Sequence, residues 1–211
     1  MYEILCFGDS NTWGYRPENA QRYDRKTRWT GVLQKALGKG FFVMEEGLNG
    51  RTTVWDDPVE EGKNGSRQLL PCLESHKPLS LVILMLGTND LKDRYSVPAI
   101  DIANSIGRLI EIIKKSNTGE GGKAPAILLL APPPLGEIST SNESFAHGKA
   151  KSAKLGLYYE NIACEKGCHF FNTASIIESS PVDGVHLSEK SHQILGTRLA
   201  EIVKNILLTQ N

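Results

Sequence analysis

Two six-residue stretches of this 211-residue chain, 81–86 and 126–131, are apolar at every position. Such a run is far shorter than the roughly 20 residues that cross a bilayer. It also has no polar alternation to offer to water, so it reads as a β-strand covered on both faces. Strand-length runs at 2–7, 41–45, 79–86, 126–131 and 169–172 give five strands. The amphipathic stretches 29–37, 66–75, 100–115, 143–165 and 189–208 read as helices, the last with Ser188 as N-cap and Leu195, Leu199, Ile202 and Ile206 on one face. Parallel strands need crossovers, and the alternation supplies them. The predicted fold is therefore α/β, a five-stranded parallel sheet with helices on both faces. No repeat or Gly/Ser linker divides the chain, so residues 1–211 are expected to form a single domain.

Charge narrows the function classes. Lys plus Arg is 24 and Asp plus Glu is 24, so no cationic excess serves nucleic acid or a membrane surface, and neither is an expected partner. The opening Met1-Tyr2-Glu3-Ile4 has no basic n-region, which leads to the expectation of a cytoplasmic protein. Cys6, Cys72, Cys164 and Cys168 show no Cys-x-x-Cys or paired zinc spacing. Their apolar neighbours predict buried free thiols, as suits a reducing compartment.

In a parallel sheet of this kind chemistry gathers at the carboxyl ends of the strands. The loops there are 8–28, 47–65, 87–95, 132–143 and 173–187. The first opens Gly8-Asp9-Ser10-Asn11-Thr12-Trp13-Gly14, which places a serine hydroxyl at the sheet edge. It reads as an activated nucleophile if a base lies within reach, and otherwise as a helix-capping turn or a phosphate loop. Thr12 stands where the G-x-S-x-G elbow of α/β-hydrolases needs its second glycine, so that motif is excluded. Among five histidines, His76, His147, His169 and His192 read as structural. His147 and His169 have no evident carboxylate partner in sequence, and His192 stands six residues from His186 rather than the four that put two ligands on one helix face. His186 differs, because Asp183-Gly184-Val185-His186 lets a carboxylate fold back onto the ring, fix its tautomer and free the other nitrogen as a base. The same tetrapeptide also reads as a plain turn before a helix. Gly47-Leu48-Asn49-Gly50 and Gly87-Thr88-Asn89-Asp90 end two other strands and offer an unobstructed backbone N–H and a side-chain amide. Donors of that kind are worth about 2.7–4 kcal/mol each to an oxyanion.

Taken in chain order, Gly8-Asp9-Ser10, Gly50, Gly87-Thr88-Asn89-Asp90 and Asp183-Gly184-Val185-His186 resemble the SGNH hydrolases, the GDSL esterase/lipase superfamily. Arg28-Trp29-Thr30-Gly31, Glu45-Glu46-Gly47-Leu48-Asn49-Gly50-Arg51-Thr52-Thr53 and Ala131-Pro132-Pro133-Pro134-Leu135 extend the likeness to its bacterial arylesterase/acyltransferase branch, over nearly the whole chain. The resemblance implies a three-layer α/β/α flavodoxin-like sandwich, the SGNH hydrolase fold. It implies Ser10 as nucleophile, His186 as base and Asp183 as the acid orienting it. The Ser10 N–H, the Gly50 N–H and the Asn89 amide would form the oxyanion hole. Asn11 departs from the family's name motif, which has Leu there; that position is expected to alter packing under the nucleophile rather than catalysis. Oligomers that narrow the active-site entrance occur in the branch, so a homo-oligomer is a further expectation.

The expected activity is that of a carboxylic ester hydrolase acting on a small-molecule ester, a short-chain acyl or aryl ester. It proceeds through an acyl-enzyme, with transfer to alcohols or peroxide as a second outcome and no metal or organic cofactor. Trp13, Trp55, Leu135, Ile138, Phe145 and Val185 are candidates for the substrate pocket, with the core as their alternative home. A carbohydrate O-acetyl esterase or a thioesterase would use the same residues. A flavodoxin-type ligand-binding module would not need the Ser10 hydroxyl.

Overall fold

The apolar runs form five parallel strands, β1 Tyr2–Gly8, β2 Phe41–Gly47, β3 Leu81–Met85, β4 Ala126–Ala131 and β5 His169–Asn172, in the spatial order β2-β1-β3-β4-β5. The structure is a computed structural model, and it describes residues 1–208; the last three residues of the domain expected over 1–211 lie outside the described residues. The helices are α1 Ser10–Trp13, α2 Trp29–Leu37, α3 Gly65–His76, α4 Ala99–Lys115, α5 Lys149–Lys166 and α6 Glu189–Leu208.

Side-chain alternation along each strand splits the core in two. Leu5 and Phe7 of β1, Val82 and Leu84 of β3, and Ile127 and Leu129 of β4 join one cluster with Leu69, Ile106 and Tyr159 from α3, α4 and α5. Their neighbours Ile4, Cys6, Leu81, Ile83, Leu128 and Leu130 join the other, with Trp29, Leu33, Leu195 and Leu199 from α2 and α6. The central strands β1, β3 and β4 thus bury both faces, which is why β3, β4 and residues 4–7 of β1 read as unbroken apolar runs. On α6 the Ser188 hydroxyl accepts the Ser191 N–H at 3.2 Å, the cap the sequence predicts. Among the described residues no helix is long and apolar enough to cross a membrane.

Three sequence expectations need correction. The helix predicted over 143–165 begins at Lys149, preceded by a separate 3-10 turn at Thr140–Phe145. Gly148 separates the two, pressed so closely against Leu135 and the Leu91 carbonyl that a side chain has no room there. Of the four thiols expected to be buried, only Cys6 is; Cys164 is exposed, because α5 turns Leu155, Tyr159, Ile162 and Ala163 inward instead. His147 has a carboxylate partner after all, its Nδ1 lying 2.9 Å from Asp93 Oδ2 at the surface.

Register brings the loops to one edge. Gly8 stands opposite both Gly47 and Met85, so β1, β2 and β3 end level with one another. The order 2-1-3 also makes the gap between β1 and β3 the place where crossovers diverge, which is where sheets of this kind place their ligands.

Candidate active site

Ser10 is the first residue of α1, a single helical turn that starts two residues past the end of β1. Asp9 caps it, one carboxylate oxygen accepting the Asn11 N–H at 2.9 Å. The turn is pressed onto β2. A Cβ on Gly47 would stand 2.1 Å from the Trp13 nitrogen, so only glycine admits the Ser10 turn at this height.

The Ser10 hydroxyl lies 3.0 Å from His186 Nε2, although 176 positions separate the two in sequence. His186 Nδ1 lies 2.5 Å from Asp183 Oδ2. An ionised carboxylate only accepts, so Nδ1 carries the proton and donates, which leaves Nε2 as the acceptor for the serine O–H. Asp183 Oδ1 accepts the N–H groups of Val185 and His186, both at 3.0 Å. Burial opposes its ionisation, but the His186 ring and those two amides outweigh burial and hold Asp183 below its ordinary pKa. Gly184, at φ +75°, makes this tight return; a Cβ there would also collide with the Glu137 carbonyl. Tyr15 lies over the other side of the imidazole, ring centroids 4.0 Å apart and nearly parallel.

Asn89 meets the loop that carries Gly50. The Asn89 Nδ2 donates to the Arg51 carbonyl at 3.1 Å, which sets its amide beside the residue that follows Gly50. Among the described residues no hydrogen bond engages the Ser10 or Gly50 backbone N–H. The Arg51 guanidinium ties this loop to β1 and β2, donating to the Gly8 carbonyl at 2.7 Å and to the Glu46 carbonyl. It is buried over the Phe7 ring, and that burial lowers its pKa to about 10, so it stays charged.

Several of these partners were not singled out from the sequence. Arg51 sits in a quoted motif, yet nothing there signals that its side chain turns inward. Asn11 does more than alter packing: its Oδ1 accepts the Leu187 N–H at 2.9 Å and locks the serine turn to the histidine loop. Buried carboxyls lie behind the edge. Asp90 accepts the Thr53 N–H at 3.1 Å and the Thr53 hydroxyl. Burial pushes both Asp9 and Asp90 up to about 6.

The pocket candidates divide. Leu135, Phe145 and Val185 are almost wholly buried in the first core cluster, and Trp55 and Ile138 pack partly buried against it. Ile138 also lines an open groove of about 510 Å³ with Glu143 and Lys149, on the loop whose Gly136 N–H meets the Gly184 carbonyl at 2.8 Å. Trp13 is half-buried beneath the Arg22 guanidinium.

A doubly wound sheet with a Ser–His–Asp hydrogen-bond chain at its switch point is the mark of an acyl-group hydrolase. The chain belongs to the GDSL-like lipase/acylhydrolase family, whose pattern matches residues 6–194. It is a carboxylic ester hydrolase. It is similar to the M. smegmatis aryl esterase, at 40% identity and a TM-score of 0.94 over 98% of this chain and 100% of that one. The carbohydrate acetylesterase Est24 from Sinorhizobium meliloti is similar too, at 38% identity and a TM-score of 0.94 over 98% and 100%. A lipolytic G-D-S-L family member from Veillonella parvula, 16% identical with a TM-score of 0.65 over 96% and 98%, shares the fold. No curated protein matches the chain significantly.

Proposed function

We propose that the chain cleaves short acyl esters through a covalent acyl-Ser10 intermediate. His186 Nε2 takes the hydroxyl proton as Ser10 Oγ attacks the carbonyl carbon. The Ser10 and Gly50 N–H groups and the Asn89 amide then hold the oxyanion. Collapse of the tetrahedral intermediate breaks the ester C–O bond, and His186 returns the proton to the departing alkoxide. Water, activated by the same imidazole, releases the acid; an alcohol or peroxide in its place gives acyl transfer. The observation that carries this reading is the pair of contacts on one imidazole, 3.0 Å to Ser10 and 2.5 Å to Asp183.

An acetylated carbohydrate is the second reading of the substrate. It rests on the similarity to Est24, as the aryl-ester reading rests on the M. smegmatis enzyme. Comparing turnover of p-nitrophenyl acetate, acetyl-CoA and acetylated xylan separates aryl ester, thioester and sugar ester.

The test of the mechanism is Ser10→Ala. Its kcat on p-nitrophenyl acetate should fall by several orders of magnitude, with binding retained. A fluorophosphonate should label the wild type at Ser10. Turnover that survives the substitution, or label found on another residue, would refute the assignment.

A further inference from the structure

On the far side of β2 from α1, three side chains of different chemistry converge. Glu46 is the penultimate residue of β2, an edge strand, while Cys72 and His76 lie on α3. Cys72 and His76 are four apart, so one face of the helix presents both. Cys72 Sγ, a ring nitrogen of His76 and a carboxylate oxygen of Glu46 all stand within 4.8 Å of one another, and His76 Nε2 is 2.7 Å from Glu46 Oε1. All three residues are half-buried. An ion can therefore enter from solvent, and a water can complete its shell.

We infer that Glu46, Cys72 and His76 bind one divalent cation of the zinc class, at a site separate from the one that cleaves esters. A sulfur, an imidazole and a carboxylate form a borderline-to-soft set, which favours Zn²⁺ over Mg²⁺ or Ca²⁺. With metal–ligand bonds of about 2.0–2.3 Å, the donor atoms of a tetrahedral site stand roughly 3.5 Å apart. The cluster reaches that spacing if the cation replaces the His76–Glu46 hydrogen bond and the ring backs away by about 1 Å. Charge is balanced as well. Coordination sends the Cys72 thiol proton to solvent, so thiolate and carboxylate together carry −2 against the cation's +2. The bound site is then neutral where the free site, with Cys72 still a thiol, carried −1, so the buried Arg51, whose guanidinium holds the Glu46 carbonyl, faces a site one unit less negative but not a cationic one. The sequence concealed this site because two ligands are spaced Cys-x-x-x-His and the third comes from another element.

Zinc here would pin the C-terminal turn of α3 to the sheet edge, and a cation that binds only the folded chain raises its stability. The test titrates chelator-stripped full-length protein with Zn²⁺ and Co²⁺. The wild type should bind one equivalent, gain Tm with Zn²⁺ but not with Mg²⁺, and show a thiolate-to-cobalt charge-transfer band. Cys72→Ser should lose the band, and Cys72→Ser and His76→Ala should each weaken Zn²⁺ binding by at least about tenfold. His186→Ala and Cys164→Ser should bind as the wild type does. If either partner variant fails to fold, the wild-type cobalt spectrum decides the matter. Absence of that band, or a zinc-induced Tm shift unchanged in both partner variants, would overturn the proposal and leave a hydrogen-bonded surface cluster in its place.

Discussion

Asp183 gathers five hydrogen bonds at one turn: two backbone amides and the His186 ring converge on its carboxylate, and its carbonyl accepts the Ser139 N–H at 3.3 Å and the Asn142 Nδ2 at 3.4 Å. Asparagine is nearly isosteric there, but its amide donates toward Nδ1. The imidazole then adopts the other tautomer, and Nε2 carries a proton it cannot exchange for that of Ser10. Asp183→Asn should therefore keep its fold while kcat falls by about 10⁴, the loss that the same change causes in serine proteases. A far-UV spectrum and p-nitrophenyl acetate kinetics on one sample check both halves. Ser10, Asp183 and His186 could be read from the sequence as candidates because each stands in a short local pattern with a chemical meaning. Arg51, Asn11 and Tyr15 could not. Their partners are Gly8, Leu187 and His186, and the last two lie more than 170 positions away, where local pattern carries no signal.

At the scale of elements, the position of the Ser10 hydroxyl depends on how closely α1 approaches β2. Gly47→Ala introduces a Cβ that would overlap the Trp13 nitrogen and the Thr12 carbonyl carbon. The turn must lift, and displacement of a reacting group by about 1 Å costs roughly 10²-fold in rate. The expected result is a 10- to 100-fold loss of kcat/KM, with overpacking costing about 1–3 kcal/mol in urea unfolding. Wild-type kinetics in this variant would mean the turn does not set the geometry. Helix α2 is held in a similar non-local way. It has no side-chain cap of its own, and His192 Nδ1 on α6 accepts the Trp29 N–H at 3.2 Å. Burial lowers the His192 pKa to about 3, so the ring stays neutral and able to accept. Reading His192 as structural was within reach of the sequence, but its capping role was not.

Across the whole molecule, the buried carboxyls behind the active-site edge shape stability against pH. Burial, reinforced by the neighbouring Asp9, raises Asp90 from an ordinary 3.8 to about 6 in the folded chain. Between those values the folded state keeps a proton that the unfolded chain has lost. Stability should therefore decline as pH rises from about 4 to 6 and level off above, by about 2–3 kcal/mol per group. Urea midpoints across pH 4–7 for wild type and Asp90→Asn test this. The variant should lack part of the decline, and parallel curves would show that Asp90 ionises normally. The five strands and the layered α/β class followed from the chain alone, and Ser10, Gly50, Asn89 and His186 were legible there as candidates, because burial on two faces leaves marks in composition and the turns match a known family's motifs. Which loops share an edge, that Leu135, Phe145 and Val185 pack inward, and that Glu46 meets Cys72 and His76 were settled by the packing of the folded chain. Those contacts join distant segments, and their energies arise only once the sheet has set its register.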